Sequence, residues 1–310
     1  MISPALLHYI SAGLAIMLGA VGAGIGLGIA ASGVEDAMIR QPTGNAQAFR
    51  AMIIGLALIE SGAIVSLVIS FLLLFASYPE LTWTIARVEF IIGLAVGIAA
   101  ASISIASSFV VRSASQSIAR QPFFAQKIII FMLIAQSIIE APVIFSLIIA
   151  LLLKTQLIAA VDADTSLRLF AAGLVIALGC IGPSIGQSLL ARAACTSIGI
   201  NKNAYNRLFP FALLNQAIIE TPMVFCVLLS LLIIYGQADA LRSLVAACTL
   251  GTAAMGSAIG MGYVSSRGIN QIAIEPSVYA KVFKPTILAA ALIEACVIYG
   301  FIISLLLVTM

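Results

Sequence analysis

The chain has 310 residues, of which 62% are hydrophobic and 9% charged, with a formal net charge of +3. Soluble domains carry about 25% charged residues. The composition therefore excludes a soluble enzyme or a nucleic-acid-binding domain and points to an integral membrane protein.

Spanning a bilayer core takes about 20 apolar residues per helix. Eight stretches qualify, at roughly 5–34, 50–77, 85–112, 127–153, 167–195, 208–235, 241–266 and 286–308. Lipid cannot satisfy backbone N–H and C=O groups, so spanning segments are helices or closed barrels. These stretches lack period-two alternation, which predicts helices. The first stretch has no basic n-region and matches later stretches residue by residue, so it reads as mature structure rather than a signal peptide. Its His8 is the only histidine and reads as an interfacial side chain. The five cysteines show no ligand spacing and read as small buried hydrophobes.

Four segments align without gaps: RQPTGNAQAFRAMIIGLALIE (40–60), RQPFFAQKIIIFMLIAQSIIE (120–140), INKNAYNRLFPFALLNQAIIE (200–220) and IEPSVYAKVFKPTILAAALIE (274–294). Each ends in Ile-Glu, and the repeats are spaced by 80, 80 and 74 residues. Upstream of each loop, one helix carries small residues at four aligned positions, beginning with Gly22, Gly24, Gly26 and Gly28. All sixteen aligned residues are Gly, Ala or Ser. Small residues four apart let membrane helices approach closely. Two interleaved rows suit a helix wedged between neighbours on both sides, as in an inner ring.

The predicted fold is thus all-α and transmembrane, with eight helices in four tandem hairpins: 1–80, 81–160, 161–236 and 237–310. Each hairpin is a small-residue helix, a polar loop and a bulky helix with one Glu. The loop side holds eleven of the fifteen basic residues, so the loops are predicted to be cytoplasmic and the termini to lie opposite. On that far side, Asp162, Asp164 and Asp239 read as solvated connector residues, not as a metal site.

Glu60, Glu140, Glu220 and Glu294 each fall roughly ten residues into the second helix, or about 15 Å, near the bilayer midplane. A central charge costs about 2.5–3.5 kcal/mol on insertion scales. Four such acids at one depth read as ion carriers rather than packing accidents. No Arg or Lys lies at midplane depth. Each Glu should therefore rest protonated or closed around a cation, and ionise only when a partner supplies water or positive charge. Gln136 and Gln216 lie four residues before Glu140 and Glu220, on the same face. They serve either to lock the carboxyl or to join helices. Pro142 and Pro222 remove a backbone donor beside the Glu and predict a slight kink.

These features resemble the c subunit, or proteolipid, of F-type rotary ATP synthases. The likeness rests on the small-residue helix VGAGIGLGIA (21–30), the loop motifs Arg40-Gln41-Pro42 and Arg120-Gln121-Pro122, and the mid-helix Glu in LIES and ALIEACVIYG. It covers essentially the whole chain, as four copies of a unit that is usually one hairpin. The resemblance implies that the chain forms part of a c-ring, a homo-oligomeric rotor of inner small-residue and outer Glu-bearing helices. It implies a stator a subunit whose essential Arg meets each Glu. It also implies central stalk subunits gripped by Arg40, Gln41, Pro42, Arg120, Gln121 and Pro122. The third loop (Ile200-Asn201-Lys202) lacks the motif and the fourth keeps only Glu275-Pro276. The setting implied is a bacterial plasma membrane or an organellar inner membrane.

The chain would be no enzyme on its own, since no P-loop pattern is present, and needs no cofactor. Fused hairpins and the Glu-Ala-Pro (140–142) and Glu-Thr-Pro (220–222) segments also resemble V-type proteolipids. Every hairpin keeps its Glu, which favours synthesis or reversible operation. Sodium needs several oxygen ligands. In sodium-binding relatives a Gln on the inner helix and a hydroxyl after the Glu supply them. Gln187, Glu220 and Thr221 match that set, so they are the metal ligands if the ion is sodium. Elsewhere the inner position is Leu27, Ser107 or Met261, and Leu27 and Met261 cannot ligate sodium. All sites pass one stator, so the poorest site decides, and protons are the favoured ion. A secondary transporter is a rival class, but transporters use inverted repeats around one central site, whereas these repeats are parallel.

Overall fold

A computed structural model describes residues 3–157 and 162–310. Among the described residues there are ten α-helices and no strand. They are α1 (Pro4–Arg40), α2 (Asn45–Leu74), α3 (Trp83–Arg120), α4 (Ala125–Ile139), α5 (Ala141–Thr155), α6 (Ala163–Gly179), α7 (Ile181–Ile200), α8 (Tyr205–Tyr235), α9 (Ala240–Ile274) and α10 (Tyr279–Thr309). The pairs α4–α5 and α6–α7 each form one span with a single interruption, giving eight helices long and apolar enough to cross a membrane. The hairpin boundary expected at 160/161 lies outside the described residues.

The four loops share one geometry despite their different sequences. Each inner helix ends at an extended residue: Gln41, Gln121, Asn201 or Glu275. A three-residue 3-10 turn follows, and the outer helix starts directly after it. Three turns open with Pro, whose missing N–H is no loss at the first position of a helical turn. The third opens with Lys202, and there the Asn201 side chain accepts from Asn203 N instead.

The small-residue helices α1, α3, α6–α7 and α9 form an inner layer, each packed on the next. The spacing is set by backbone contact. A Cβ on Gly26 would stand 2.6 Å from Ser104 O, and one on Gly186 would overlap Ala258 O outright. The bulky helices α2, α4–α5, α8 and α10 lie outside them. Within hairpins the layers are tied by Ser70 Oγ donating to Ala12 O, Ser230 Oγ to Ala172 O and Ser304 Oγ to Ala246 O. The second hairpin has Ala150 at that position. Between hairpins, Ser188 Oγ donates to Ala106 O and Lys154 Nζ to Leu72 O at the end of α2.

The prolines act unequally. A break stands at Glu140, beside Pro142, and another at Cys180, upstream of Pro183. Across Pro222, however, α8 runs on unbroken, so the kink predicted there does not take the form of an interruption. Pro222 deprives Ile218 O of its helical donor, and Thr221 Oγ1 donates to that oxygen at 2.9 Å. Ala141, in the same place before Pro142, has no hydroxyl to offer.

Two expectations need correction. Cys180, Cys195 and Cys226 are buried, but Cys248 and Cys296 are exposed. Both exposed cysteines lie on the last hairpin. At the position of Cys296 the other hairpins bury Gly62, Pro142 and Pro222. Nor is His8 an interfacial side chain: it is 6% exposed, and its Nδ1 pairs with Glu89 Oε2 at 2.7 Å.

Candidate functional site: four carboxylates between hairpins

The four glutamates occupy the same place in each outer helix, and their surroundings join two hairpins. Thr221 Oγ1 on α8 lies 2.8 Å from Glu294 Oε1 on α10. The Ser61 hydroxyl on α2 lies beside the Glu140 carboxyl at the α4–α5 break. In both cases the hydroxyl follows one hairpin's own Glu and serves the Glu of the next. Glu220 by the same rule faces the position of Ala141, which carries no hydroxyl. Glu60, in the first hairpin, is exposed.

Each hydroxyl has one proton. Ser61 Oγ donates to Leu58 O at 2.7 Å and Thr221 Oγ1 to Ile218 O at 2.9 Å. Thr221 Oγ1 also reaches Glu294 Oε1 as donor at 2.8 Å, so its one proton serves either the Ile218 carbonyl or the Glu294 carboxyl; when it stays on the carbonyl, the oxygen can accept from a protonated carboxyl. Glu140 Oε1 is buried with no hydrogen-bond partner.

Of the three residues that the sequence grouped as sodium ligands, neither Gln187 nor Thr221 hydrogen-bonds Glu220 among the described residues. Thr221 is engaged with Glu294 rather than with Glu220 of its own hairpin. Gln187 is buried, and neither of its amide atoms finds a partner. The two readings of the glutamine before the Glu are also resolved for hairpin 2. Gln136 Nε2 donates to Ser107 Oγ at 2.7 Å and to Gly55 O at 3.2 Å, which joins helices and leaves the Glu140 carboxyl alone. Gln216 and Gln187 hold the same two positions in hairpin 3, and all four amide atoms are buried without partners.

At the loops, Arg40 and Pro42 are exposed and Gln41 is half-buried; Arg120 is exposed and Gln121 and Pro122 are half-buried. Phe123, which follows the second motif, is fully exposed at 105%, an apolar tip that sequence reasoning passed over. Loops 3 and 4 are instead tied together, Arg207 Nη1 donating to Pro276 O and Asn201 Nδ2 to Ala273 O.

The far side holds a second group that sequence reasoning missed. Glu89, on α3, is fully buried between His8 and Tyr78, whose hydroxyl donates to Glu89 Oε1 at 2.9 Å. Burial and the neighbouring Glu89 carboxylate push the Tyr78 hydroxyl above the ordinary phenol range, so it stays a donor. No sequence motif announces this triad, whose members lie 11 and 81 residues from Glu89. Its chemistry is structural: it clasps α1, α3 and the connector between them. Removing one partner of a buried pair costs about 3–5 kcal/mol. His8→Ala is therefore expected to lower the thermal midpoint of the detergent-solubilised chain clearly. Replacing His8 and Glu89 together by leucine should recover much of that loss, because no buried charge is then left alone.

The connector acids Asp162, Asp164 and Asp239 are all exposed, and Asp239 caps α9. Asp239 Oδ2 accepts from Leu241 N and Arg242 N. Asp162 precedes α6, and a hydrogen bond from Thr165 holds its carboxyl below the usual range. Among the described residues no cluster of His, Cys, Asp or Glu is arranged to hold a metal ion.

The family model for the ATP synthase c subunit matches the chain four times, at residues 10–73, 90–153, 170–233 and 244–307. The chain is 38% identical over 79 residues to the ATP synthase c subunit of Geotalea uraniireducens, a match covering 25% of this chain and 87% of that protein. It is 43% identical over 70 residues to the ATP synthase c subunit of Enterococcus hirae, covering 23% of this chain and 99% of that protein. A third relative, the ATP synthase c subunit of Mesomycoplasma hyopneumoniae, is 42% identical over 67 residues, 22% of this chain and 65% of that one. Each matched stretch is about one hairpin long. Four such units in one multi-pass membrane chain place it in the ATP synthase c-subunit family.

Proposed function

We propose that this chain is the proton-carrying rotor subunit of a rotary ATP synthase, with Glu60, Glu140, Glu220 and Glu294 loaded and unloaded in turn. The observation that carries the reading is the repeated composite site, a midmembrane carboxyl beside the position after the Glu of the preceding hairpin. Rotation past a stator Arg would bring each carboxyl in turn to a positive charge, which stabilises the ionised form.

Proton cargo is favoured by the ligand count. A sodium ion needs several oxygens. Glu294 has the Thr221 hydroxyl but Met261 on its inner helix. Glu220 has Gln187 but faces Ala141. Glu140 has Ser61, while its inner Ser107 is taken by Gln136. Gln187 and Thr221 both belong to hairpin 3, but Thr221 turns to Glu294 while Glu220 faces Ala141, and a proton needs neither ligand.

The ring would form head to tail from copies of this chain, so hairpins would number a multiple of four. Arg40-Gln41-Pro42 and Arg120-Gln121-Pro122, with the exposed Phe123, are the surfaces offered to the central stalk on the cytoplasmic side.

Carbodiimide attacks a protonated carboxyl in an apolar pocket and so tests the reading. Labelling of all four Glu should slow as pH rises and ignore millimolar sodium. Protection by sodium at every site would replace the proton by sodium. No labelling at any site would end the ion-carrier reading altogether.

A further inference from the structure

Three interfaces between inner helices are seen inside the chain, and they use one pair of faces. One face of each helix packs on the opposite face of the next. Gly22 and Gly26 of α1 meet Ala101 and Ser104 of α3. Gly182 and Gly186 of α7 meet Met255 and Ala258 of α9. Between α3 and α7, Ser188 Oγ reaches Ala106 O.

Among the described residues two faces are left without a partner, one on α9 and one on α1. On α9 the equivalents of Gly22 and Gly26 are Gly256 and Gly260. A Cβ on Gly256 would meet nothing within 4 Å, and one on Gly260 only the Ile293 side chain. On α1, Gly13, Gly24 and Gly28 have nothing within 4 Å of a Cβ either. Their equivalents are packed wherever an earlier helix precedes them: Gly93 against Ser11 O, and Gly262 against Gly186. The open faces are the two complementary halves of the interface already built three times.

Charge sorts in the same way. At the loop end of the interfaces, Gly33 packs on Arg112 and Ser117 Oγ donates to Cys195 O. Ser197 Oγ donates to Asn270 Oδ1. The outgoing positions 33, 113 and 193 are Gly, Ser and Ala, but on α9 the residue is Arg267. By the Gly33–Arg112 register the incoming position that meets it is Arg112, Arg192 or Ser266, and on α1 Ser32; one turn nearer the loop, the positions equivalent to 35 and 36 are Ser115 and Gln116, Cys195 and Thr196, and Ile269 and Asn270, all neutral, but on α1 they are Glu35 and Asp36. Arg267, Glu35 and Asp36 are exposed, and none is in an ion pair among the described residues. Arg267 rests over the ring of Tyr263 on its own helix, 5.4 Å from the centroid, and donates from Nη2 to its hydroxyl at 3.4 Å.

We infer that Arg267 on α9 of one copy pairs with Asp36 and Glu35 on α1 of the next, at a seam where Gly256 packs on Val21 and Gly260 on Gly24 and Gly28. The inference rests on the ring proposed above and names its joint. An unlike pair present only at the chain ends sets which hairpin follows the fourth, and a reversed or staggered join would leave an arginine on a neutral face. Glu60 would be completed by the position after Glu294 of the preceding copy, Ala295, so the site at the seam has no outer hydroxyl.

Native mass spectrometry of the detergent-extracted protein tests this. The wild type should give closed rings of whole chains. Arg267→Glu and the double variant Glu35→Arg/Asp36→Arg should each lower the ring fraction roughly tenfold or more, because like charges then face each other. Combining Arg267→Glu with Asp36→Arg should restore rings. Gly24→Leu should leave helical single chains that do not close, since nothing inside the chain touches that position. Rings in the wild type together with indifference to both charge reversals, or rings in Gly24→Leu, would overturn the seam alone. Absence of rings from the wild type would overturn the rotor reading with it.

Discussion

Replacing any one of Glu60, Glu140, Glu220 or Glu294 by glutamine is expected to abolish proton-coupled ATP synthesis and ATP-driven pumping by the assembled complex, not to reduce them by a share. Gln keeps the size and hydrogen-bonding reach of Glu but cannot ionise. A rotor presents its sites to one stator in series, so every turn stops at the first hairpin that cannot release its ion. Four independent carriers would behave differently: each single variant would lose only its own portion. Proton pumping into vesicles that hold the reconstituted complex, with each variant in turn, separates the two cases. Equal and near-complete losses at all four positions fit the rotor. Graded partial losses would count against it. Cross-linked ring yield should be unchanged, because the four carboxyls sit in the outer layer, away from the backbone contacts that hold the inner helices.

The second large effect concerns those contacts. Gly186→Val should prevent stable folding of the chain. A Cβ there would overlap Ala258 O, and Gly262 brings its own backbone against Gly186 from the neighbouring helix. Overpacking a core costs typically about 1–3 kcal/mol when side chains can give way. Here backbone faces backbone, so the two helices must separate, and the small-residue packing that replaces a hydrophobic driving force between membrane helices is lost. Expression yield and the melting of α-helical circular dichroism in detergent would record it. A near-normal melt for Gly186→Val would contradict the close inner layer. Gly186→Ala should also be destabilising, by less.

Much of the hairpin architecture was legible in the residues alone. The repeat of Ile-Glu at fixed spacing and the interleaved Gly, Ala and Ser rows depend on local sequence, and they predicted hairpins and the inner layer. The loops were legible too, since a helix-ending residue followed by Pro specifies a turn wherever it occurs. What the sequence hid was anything that crosses hairpins. Thr221, directly after Glu220, looked like a ligand for its own carboxyl, and only packing shows it turned to Glu294. Pro222 predicted a kink, but the hydroxyl of the residue before it repairs the freed carbonyl of Ile218. Glu89 was invisible for a related reason: its partners His8 and Tyr78 come from another helix and a connector, and no spacing rule links them. Exposure at Cys296 follows from its place on the outer face of α10, which residue type does not carry.

The covalent fusion has a consequence for how the ring comes together. Of the four kinds of inner-helix contact, three are made between segments on one chain, at an effective concentration fixed by short connectors and independent of how much protein the membrane contains. In the ring proposed above, the fourth, between copies, would be governed by mass action. Dilution or scarce expression would then open the joint between copies before it stripped single hairpins, and whole four-hairpin arcs would be the units that leave or join.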